Sequence, residues 1–325
     1  MPDSDFQSFR AVSHYGKDSI TNELEYGLKE WISWSMLKIG AWSNITTGTS
    51  GMYGGNFSIL HTVNDPSYNA RTVYQGIRKD FIWETGVNYV STTGTHNPLA
   101  VQIFANNTGI TTGTVGFTHY IDYPNGRIIF NSGQSANITF RAQYSTREVQ
   151  TYLASDQDWW FEVNYDSWNP IGDAAWVSNI TSGDYALAST NRMQMPCIII
   201  EPAVSHTTAA PFELGTLVGK QRQDVLFHIL AEDRHTRNNI TDILRLQKDK
   251  TIVLPDTTKI YASGLLPLNA NGMLVNPNAV YPNIVGNTDL IFRHAIIVNT
   301  SVSEVKTEHP KLHWAICRAT FEILL

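Results

Sequence analysis

The chain has little cysteine, little charge and no long apolar run. Two cysteines, Cys197 and Cys317, occur in 325 residues. That count excludes a disulfide framework and points to a reducing compartment, with a single bond between the pair as the other option. Charged residues make up 16% of the chain, against about 25% in an average globular protein. Uncharged polar groups must therefore cover much of the surface. Lysine and arginine form no run and the formal net charge is -6, which argues against a sequence-independent nucleic-acid binder, whose footprint is a basic stripe. No stretch approaches the roughly eighteen consecutive apolar residues of a membrane span, so a soluble chain with no membrane partner is expected. Met1 to Arg10 is polar and acidic and lacks the apolar core of a signal peptide, so secretory export is not expected. Seven Asn-x-Ser/Thr sequons, at Asn44, Asn56, Asn106, Asn137, Asn179, Asn239 and Asn299, then read as products of an Asn- and Thr-rich composition rather than as glycosylation sites.

The common catalytic signatures are also missing. There is no G-x-S-x-G, no G-x-x-x-x-G-K-[ST], no H-E-x-x-H and no C-x-x-C. The ten histidines mostly stand singly inside β-type runs or turns. His228 reads as a satisfied strand histidine rather than a base or ligand. In His119-Tyr-Ile-Asp122 the three-residue spacing sends the two side chains to opposite faces of a strand. No catalytic residue, cofactor or metal is expected, and the chain reads as a non-enzyme.

What is present is Thr, Asn, Ser and Gly between apolar runs, as in Asn44 to Gly51 and Asn106 to Thr114. That is turn and β-edge chemistry. One helix stands out, from Asp18 to Ile39. There Ile20, Leu24, Leu28, Trp31 and Ile32 recur at helical spacing, Asp18 or Ser19 can cap the start and Gly40 can end it. Its stripe reads either as a core face or, because Trp31, Trp34 and Trp42 supply so much aromatic area, as a partner-facing surface. Thr46 to Tyr68 reads as a linker with a short strand. Thr72 to Leu153 then holds short β-type runs at the regular spacing of a sandwich or barrel. Asn125-Gly126 signals a tight hairpin turn, and Ile138, Phe140, Ala142 and Tyr144 alternate as one buried face.

Asp156 to Ser189 is irregular and rich in tryptophan. If extended, it points Asp156 and Asp158 the same way beside Trp159 and Trp160. That arrangement suits a metal, a sugar or a glycoside hydrolase, set against a solvated acidic loop beside core tryptophans. Trp159 and Trp160 are thus the alternative sugar-binding residues, with Trp168 and Trp176 as further stacking rings. A second β system opens at Met195-Pro-Cys-Ile-Ile-Ile-Glu201 and continues through Asp224 to Ala231. A helix follows from Arg234 to Gln247 capped by Asp233, then strands at Thr251 to Leu254, Asp289 to Asn299 and His313 to Leu325. Gly264 to Gly286 reads as a long contact loop.

The order from Pro196 to Gln247 is an apolar strand, Pro211-Phe-Glu-Leu-Gly215, a strand ending in Glu232-Asp233 and a helix from Arg237 to Leu244, followed by Lys250-Thr-Ile-Val-Leu254. This resembles tailed-bacteriophage virion proteins of the neck and tail-terminator kind. Ile121 to Phe130, with Ala142-Gln-Tyr-Ser145, is similar to phage structural proteins as well. The resemblance implies a small sheet with flanking helices; with the β-type runs from Thr72 to Leu153, which depart from a minimal tail terminator, the expected fold is β-rich α+β, a small mixed sheet with flanking helices plus an inserted β-sandwich-like domain. Residues 1–45 would supply an N-terminal helix packing on the C-terminal core, 46–190 the inserted domain and 191–325 the terminator-like core. It also implies a homo-oligomeric ring in the virion, assembled in the host cytoplasm at the head-tail junction as neck, collar or terminator. Connector, tail tube or sheath would be its neighbours, and DNA would pass through the lumen without sequence recognition. The expected intersubunit contacts are Trp31 and Trp34 on the helix, Phe212 and Leu214, the Gly264 to Gly286 loop, and Arg234 and Arg237, since arginine is favoured at interfaces. The competing expectation is a carbohydrate- or receptor-binding tail protein.

Overall fold

The computed structural model describes residues 20–48, 55–63, 65–156, 194–209, 219–305 and 312–324. Its first element, α1 (Ile20–Lys38), buries Leu24, Leu28, Trp31, Ile32 and Met36 along one stripe. Full burial of each leucine contributes about 1.5–3 kcal/mol. Gly40, at φ 85, closes the helix, a left-handed position that glycine takes without a Cβ penalty.

Ten short strands follow: β1 (Trp42–Ile45), β2 (His61–Thr62), β3 (Val73–Gln75), β4 (Tyr89–Ser91), β5 (Gly94–His96), β6 (Gln102–Ala105), β7 (Thr108–Ile110), β8 (His119–Asp122), β9 (Arg127–Phe130) and β10 (Phe140–Arg147). They build two four-stranded sheets, ordered β1-β10-β6-β7 and β2-β3-β9-β8, and a small β4-β5 hairpin. The two larger sheets share one core in which Ile45, Ile103, Phe140 and Tyr144 of the first meet Tyr74, Ile128 and Phe130 of the second. The Tyr74, Phe130 and Phe140 rings lie 4.7–5.6 Å apart, in pair geometries that add about 0.5–1.5 kcal/mol beyond burial. The β8-β9 hairpin forms where Asn125-Gly126 lies, but with a looser turn than a two-residue loop. Asp122 pairs with Arg127, and of the four residues between them Gly126 alone takes a positive φ, 61. A Cβ on Gly126 would stand 2.6 Å from the Arg78 carbonyl oxygen, so the approach of the 76–87 segment is what demands glycine there.

The remaining strands are β11 (Gln150–Leu153), β12 (Cys197–Ala209), β13 (Gly219–Ala231), β14 (Thr251–Pro255), β15 (Ile291–Val305) and β16 (His313–Leu324). They form one mixed sheet ordered β11-β12-β13-β16-β15-β14, parallel between β11 and β12 and antiparallel elsewhere. Helices α2 (Arg234–Arg245), α3 (Thr257–Ala262) and α4 (Tyr281–Val285) lie in the β13–β14 and β14–β15 connections. α2 starts where Asp233 accepts a bond from the Thr236 amide at 2.8 Å, as its N-cap signal requires. Period-two alternation then sorts the sheet. Ile198, Ile200, Val225, Phe227, Ile229, Cys317, Ala319 and Phe321 pack against α1 and α2 on one face. The fold is therefore α+β and strand-rich.

Two segments fall across the expected boundaries. β1, within 1–45, pairs with β10 in the sandwich, and β11, within 46–190, joins the large sheet. In both places the chain crosses between sheets within a few residues, so strand pairing rather than composition sets the division. Gly264 to Gly286 is not structureless, since it contains α4 and the Tyr123 amide donates to the Gly272 carbonyl at 3.1 Å, tying the loop to the β8-β9 hairpin.

The 76–87 segment links these bodies. Phe81 stacks on Tyr144 at 4.1 Å, Ile82 and Val87 pack with Leu37 of α1, and the Lys79 amide donates to Gln194 Oε1 at 3.0 Å beside the start of β12. Beneath it the Arg147 guanidinium, with its side chain 8% exposed, bonds Asp80 at 2.9 Å and Glu84 at 2.5 Å. Burial pushes the Asp80 carboxyl up and Arg147 pulls it down, and burial prevails. A carboxyl raised in the folded state contributes most below its unfolded value and loses that contribution as pH rises through the folded one. Removing the cation from a buried pair costs about 3–5 kcal/mol. Arg147→Met should lose that much at neutral pH in urea melts, with the deficit shrinking as the buffer is taken toward about pH 4 and Asp80 protonates.

Candidate assembly surface

The face of the large sheet that α1 and α2 leave uncovered carries the residues of opposite parity on β13 and β16. Lys220, Arg222 and Asp224 follow at steps of two on β13, and Arg318, Thr320 and Glu322 do so on β16. The antiparallel register sets Arg222 opposite Glu322 and Asp224 opposite Thr320, so each carboxylate also reaches a cation on the diagonal. Glu322 takes Lys220 Nζ at 2.8 Å and Arg222 at 3.1 Å. Asp224 accepts from Arg318 and, at 2.6 Å, from the Thr320 hydroxyl.

The carboxylates lie beneath and the cations above. The Asp224 and Glu322 side chains are each 14% exposed, whereas Lys220, Arg222 and Arg318 are 37%, 50% and 55% exposed. The Lys220 bond, with Arg222 beside it, holds the Glu322 carboxyl below the usual range against its burial. Burial raises Asp224, but bonds from Thr320 and Arg318 outweigh it and its carboxyl also lies low. The outcome is a cation-topped lattice over the two central strands.

Further along this face the His228 ring meets Glu201 at 2.7 Å, with the Trp314 ring 5.7 Å away. Burial lowers the His228 pKa and Glu201 opposes the shift, so the imidazole is neutral near pH 7. The neighbouring Cys197 thiol is fully buried and burial drives its pKa far up, which makes it unreactive. Cys197, Ile199, Leu230 and Trp314 form an apolar patch there, separate from the helix-covered core. Both cysteines are free and buried, so the single-bond option is not realised. Among the described residues no group of three or more His, Cys, Asp or Glu is placed to hold a metal ion.

The expected contact residues are distributed unevenly. Trp31 is 8% exposed and packs among Leu28, Ile32 and the sheet, so its area is used within the chain. Trp34 and Trp42 pack beside Leu37, Ile82 and Val87. The α1 stripe is a core face for the physical reason that it lies between the sheet and the 76–87 segment. Arg237 is likewise turned inward: its side chain is 5% exposed and donates to Glu304 at 2.6 Å and to Asn238. Arg234 is exposed at the start of α2. Phe212, Leu214, Trp159, Trp160, Trp168, Trp176 and Asp158 lie outside the described residues. Asp156 falls in a 3-10 turn, Ala154–Asp156, so the extended backbone needed to align it with Asp158 is not present.

Sequence reasoning does not find the ion lattice, although a signal is there: charges at i, i+2 and i+4 on β13 (Lys220, Arg222, Asp224) and at i and i+4 on β16 (Arg318, Glu322) mark one face of a sheet. No model of a known protein family matches the chain, and no curated protein matches it.

Because the folded-state carboxyls of Asp224 and Glu322 lie low, their contribution is present above the unfolded values near 4 and is lost as pH falls through the folded ones. Glu322→Gln should cost about 1 kcal/mol at pH 7, a modest figure because the cations are solvated. Its stability should also fall less steeply than that of the parent between about pH 4 and 2, as followed by denaturant midpoints.

Proposed function

We propose that this chain is a non-enzymatic structural protein of a tailed-bacteriophage virion, acting at the head-tail junction as a ring of identical copies. The observation that carries the reading is the large sheet: one face is sealed by α1 and α2, and the other carries, beside a buried apolar patch, a lattice of paired charges over β13 and β16 with the cations outermost. Such a face is shaped for another protein surface rather than for a small substrate, which is held in concave, mostly apolar sites. Polar, arginine-bearing patches of this kind are typical of contact surfaces between proteins. The small mixed sheet with flanking helices is also the arrangement that the resemblance implies.

In this role the sheet is the rigid frame, the sandwich is a second rigid body fastened to it through 76–87, and the activity is mechanical. Copies repeat one heterologous contact until the rotation closes. Connector on one side and tail tube or sheath on the other are the proposed neighbours.

Native mass spectrometry of the purified full chain over a micromolar concentration series should show one closed multiple of the 36.4 kDa protomer, and proteomics of purified virions should contain the chain at a copy number equal to that multiple. A monomer at every concentration together with absence from virions overturns the proposal.

A further inference from the structure

The outer strands of the large sheet are each covered along only half their length. On one side β11 pairs with Cys197 to Ile200 of β12, and no strand among the described residues pairs with the outer side of 201–209. On the other side β14 pairs with Ile291 to Ile296 of β15, the Ile297 amide donates to the Lys250 carbonyl, and 298–305 has no outer strand among the described residues. A β-bulge marks each changeover, between Pro202 and Ser205 on β12 and between Ile297 and Asn299 on β15. Unpaired edges of this length are templates for another strand.

The two open halves complement each other. They are of nearly equal length, 201–209 against 298–305, about 27 Å of strand. They also lie at diagonally opposite corners of the sheet, since Ala209 is level with the Leu324 end of β16 and Val305 with its Trp314 end. β12 and β15 run in opposite directions, so a second copy in the same orientation presents its β12 antiparallel to the first copy's β15. In that arrangement the open half of one β12 runs alongside the open half of the next copy's β15.

Side-chain parity supplies an independent check. With Ala209 seated at the step beside Val298, His206 falls opposite Ser301. His206 is in register with Arg222 and Ser301 with Arg318, and both arginines stand on the face that α1 and α2 leave bare. Directly opposed residues of paired strands share a face, so this seating keeps the helices of every copy on one side, as a head-to-tail contact between identically oriented copies demands. A one-residue slip would put them on opposite faces.

We infer that the open half of β12 in one copy adds, antiparallel, to the open half of β15 in the next, so that the large sheet runs continuously from copy to copy. This deepens the ring reading and rests on it. His206 and Ser301 are exposed, and cysteines at opposed positions have the 4.5–5.5 Å or so Cα separation a disulfide accepts. The buried native thiols do not compete.

Full-length chains carrying His206→Cys, Ser301→Cys or both would be oxidised and run without reductant beside native mass spectrometry of the same samples. The double variant should give a ladder ending at the native multiple, an equimolar mixture of the two single variants should give a mixed dimer, and neither single variant alone should cross-link. Val302→Lys, which puts a charge on the open edge at a residue 41% exposed, should weaken assembly at least tenfold with the melting temperature unchanged. Cross-linking of one single variant with itself overturns the head-to-tail pairing in favour of a two-fold one. Oligomers that form without any of these cross-links, and withstand Val302→Lys, overturn the edge contact and leave the ring reading standing. A monomer under all conditions overturns both.

Discussion

The buried guanidinium of Arg147 is the constraint around which the rest is arranged. A cation this deep is tolerable only when opposite charge lies nearby, and Asp80 and Glu84 answer it from the 76–87 segment through Nε and Nη2. The answer dictates backbone as well as charge. Asp80 takes a positive φ of 57, a conformation that aspartate accepts more readily than most residues. The segment so placed brings Phe81 to Tyr144, Ile82 and Val87 to α1, and Lys79 to Gln194, three residues before β12. One desolvated charge thus couples a sandwich, a helix and a sheet that would otherwise meet through separate apolar patches.

The division of the large sheet into two unlike faces follows from simpler rules. β13 alternates Val225, Phe227 and Ile229 with Asp224, Leu226 and His228, so its pleat separates an oily side from a wet one. α1 and α2 both seal the oily side. On the wet side the carboxylates of Asp224 and Glu322 are pinned below their cations. The sheet therefore has two chemically unlike faces.

Much of this could be seen in the residues. The α1 stripe, the Asp233 cap and the apolar opening of β12 are local signals, settled within a few residues of chain, and each corresponds to an element in the structure. The strand-rich α+β class follows from their sum. What could not be seen depends on partners far apart in sequence. Glu84 and Arg147 are 63 positions apart, and Arg222 and Glu322 are 100 apart, so the alternating charges of β13 and β16 mark a face without naming the partner. The length of β13 was underestimated for the same reason: Gly219 to Gln223 is too polar to read as strand, and it is held extended by pairing with β12 and β16. For Trp31 the core reading of the stripe is the one the fold realises, while Trp34 stays half-buried beside Leu37.

The strand order has a bearing on how the frame comes into being. β16 lies between β13 and β15, and both precede it in the chain. Until residues 313–324 are made, the sheet exists only as separate halves, each with a bare inner edge. Those edges are the stickiest surfaces the nascent chain displays. Closure by β16 pairs both at once and completes the lattice on Asp224, so acquisition of the charged face and removal of the aggregation hazard are one event. Protection of both inner edges therefore waits on the entry of that strand.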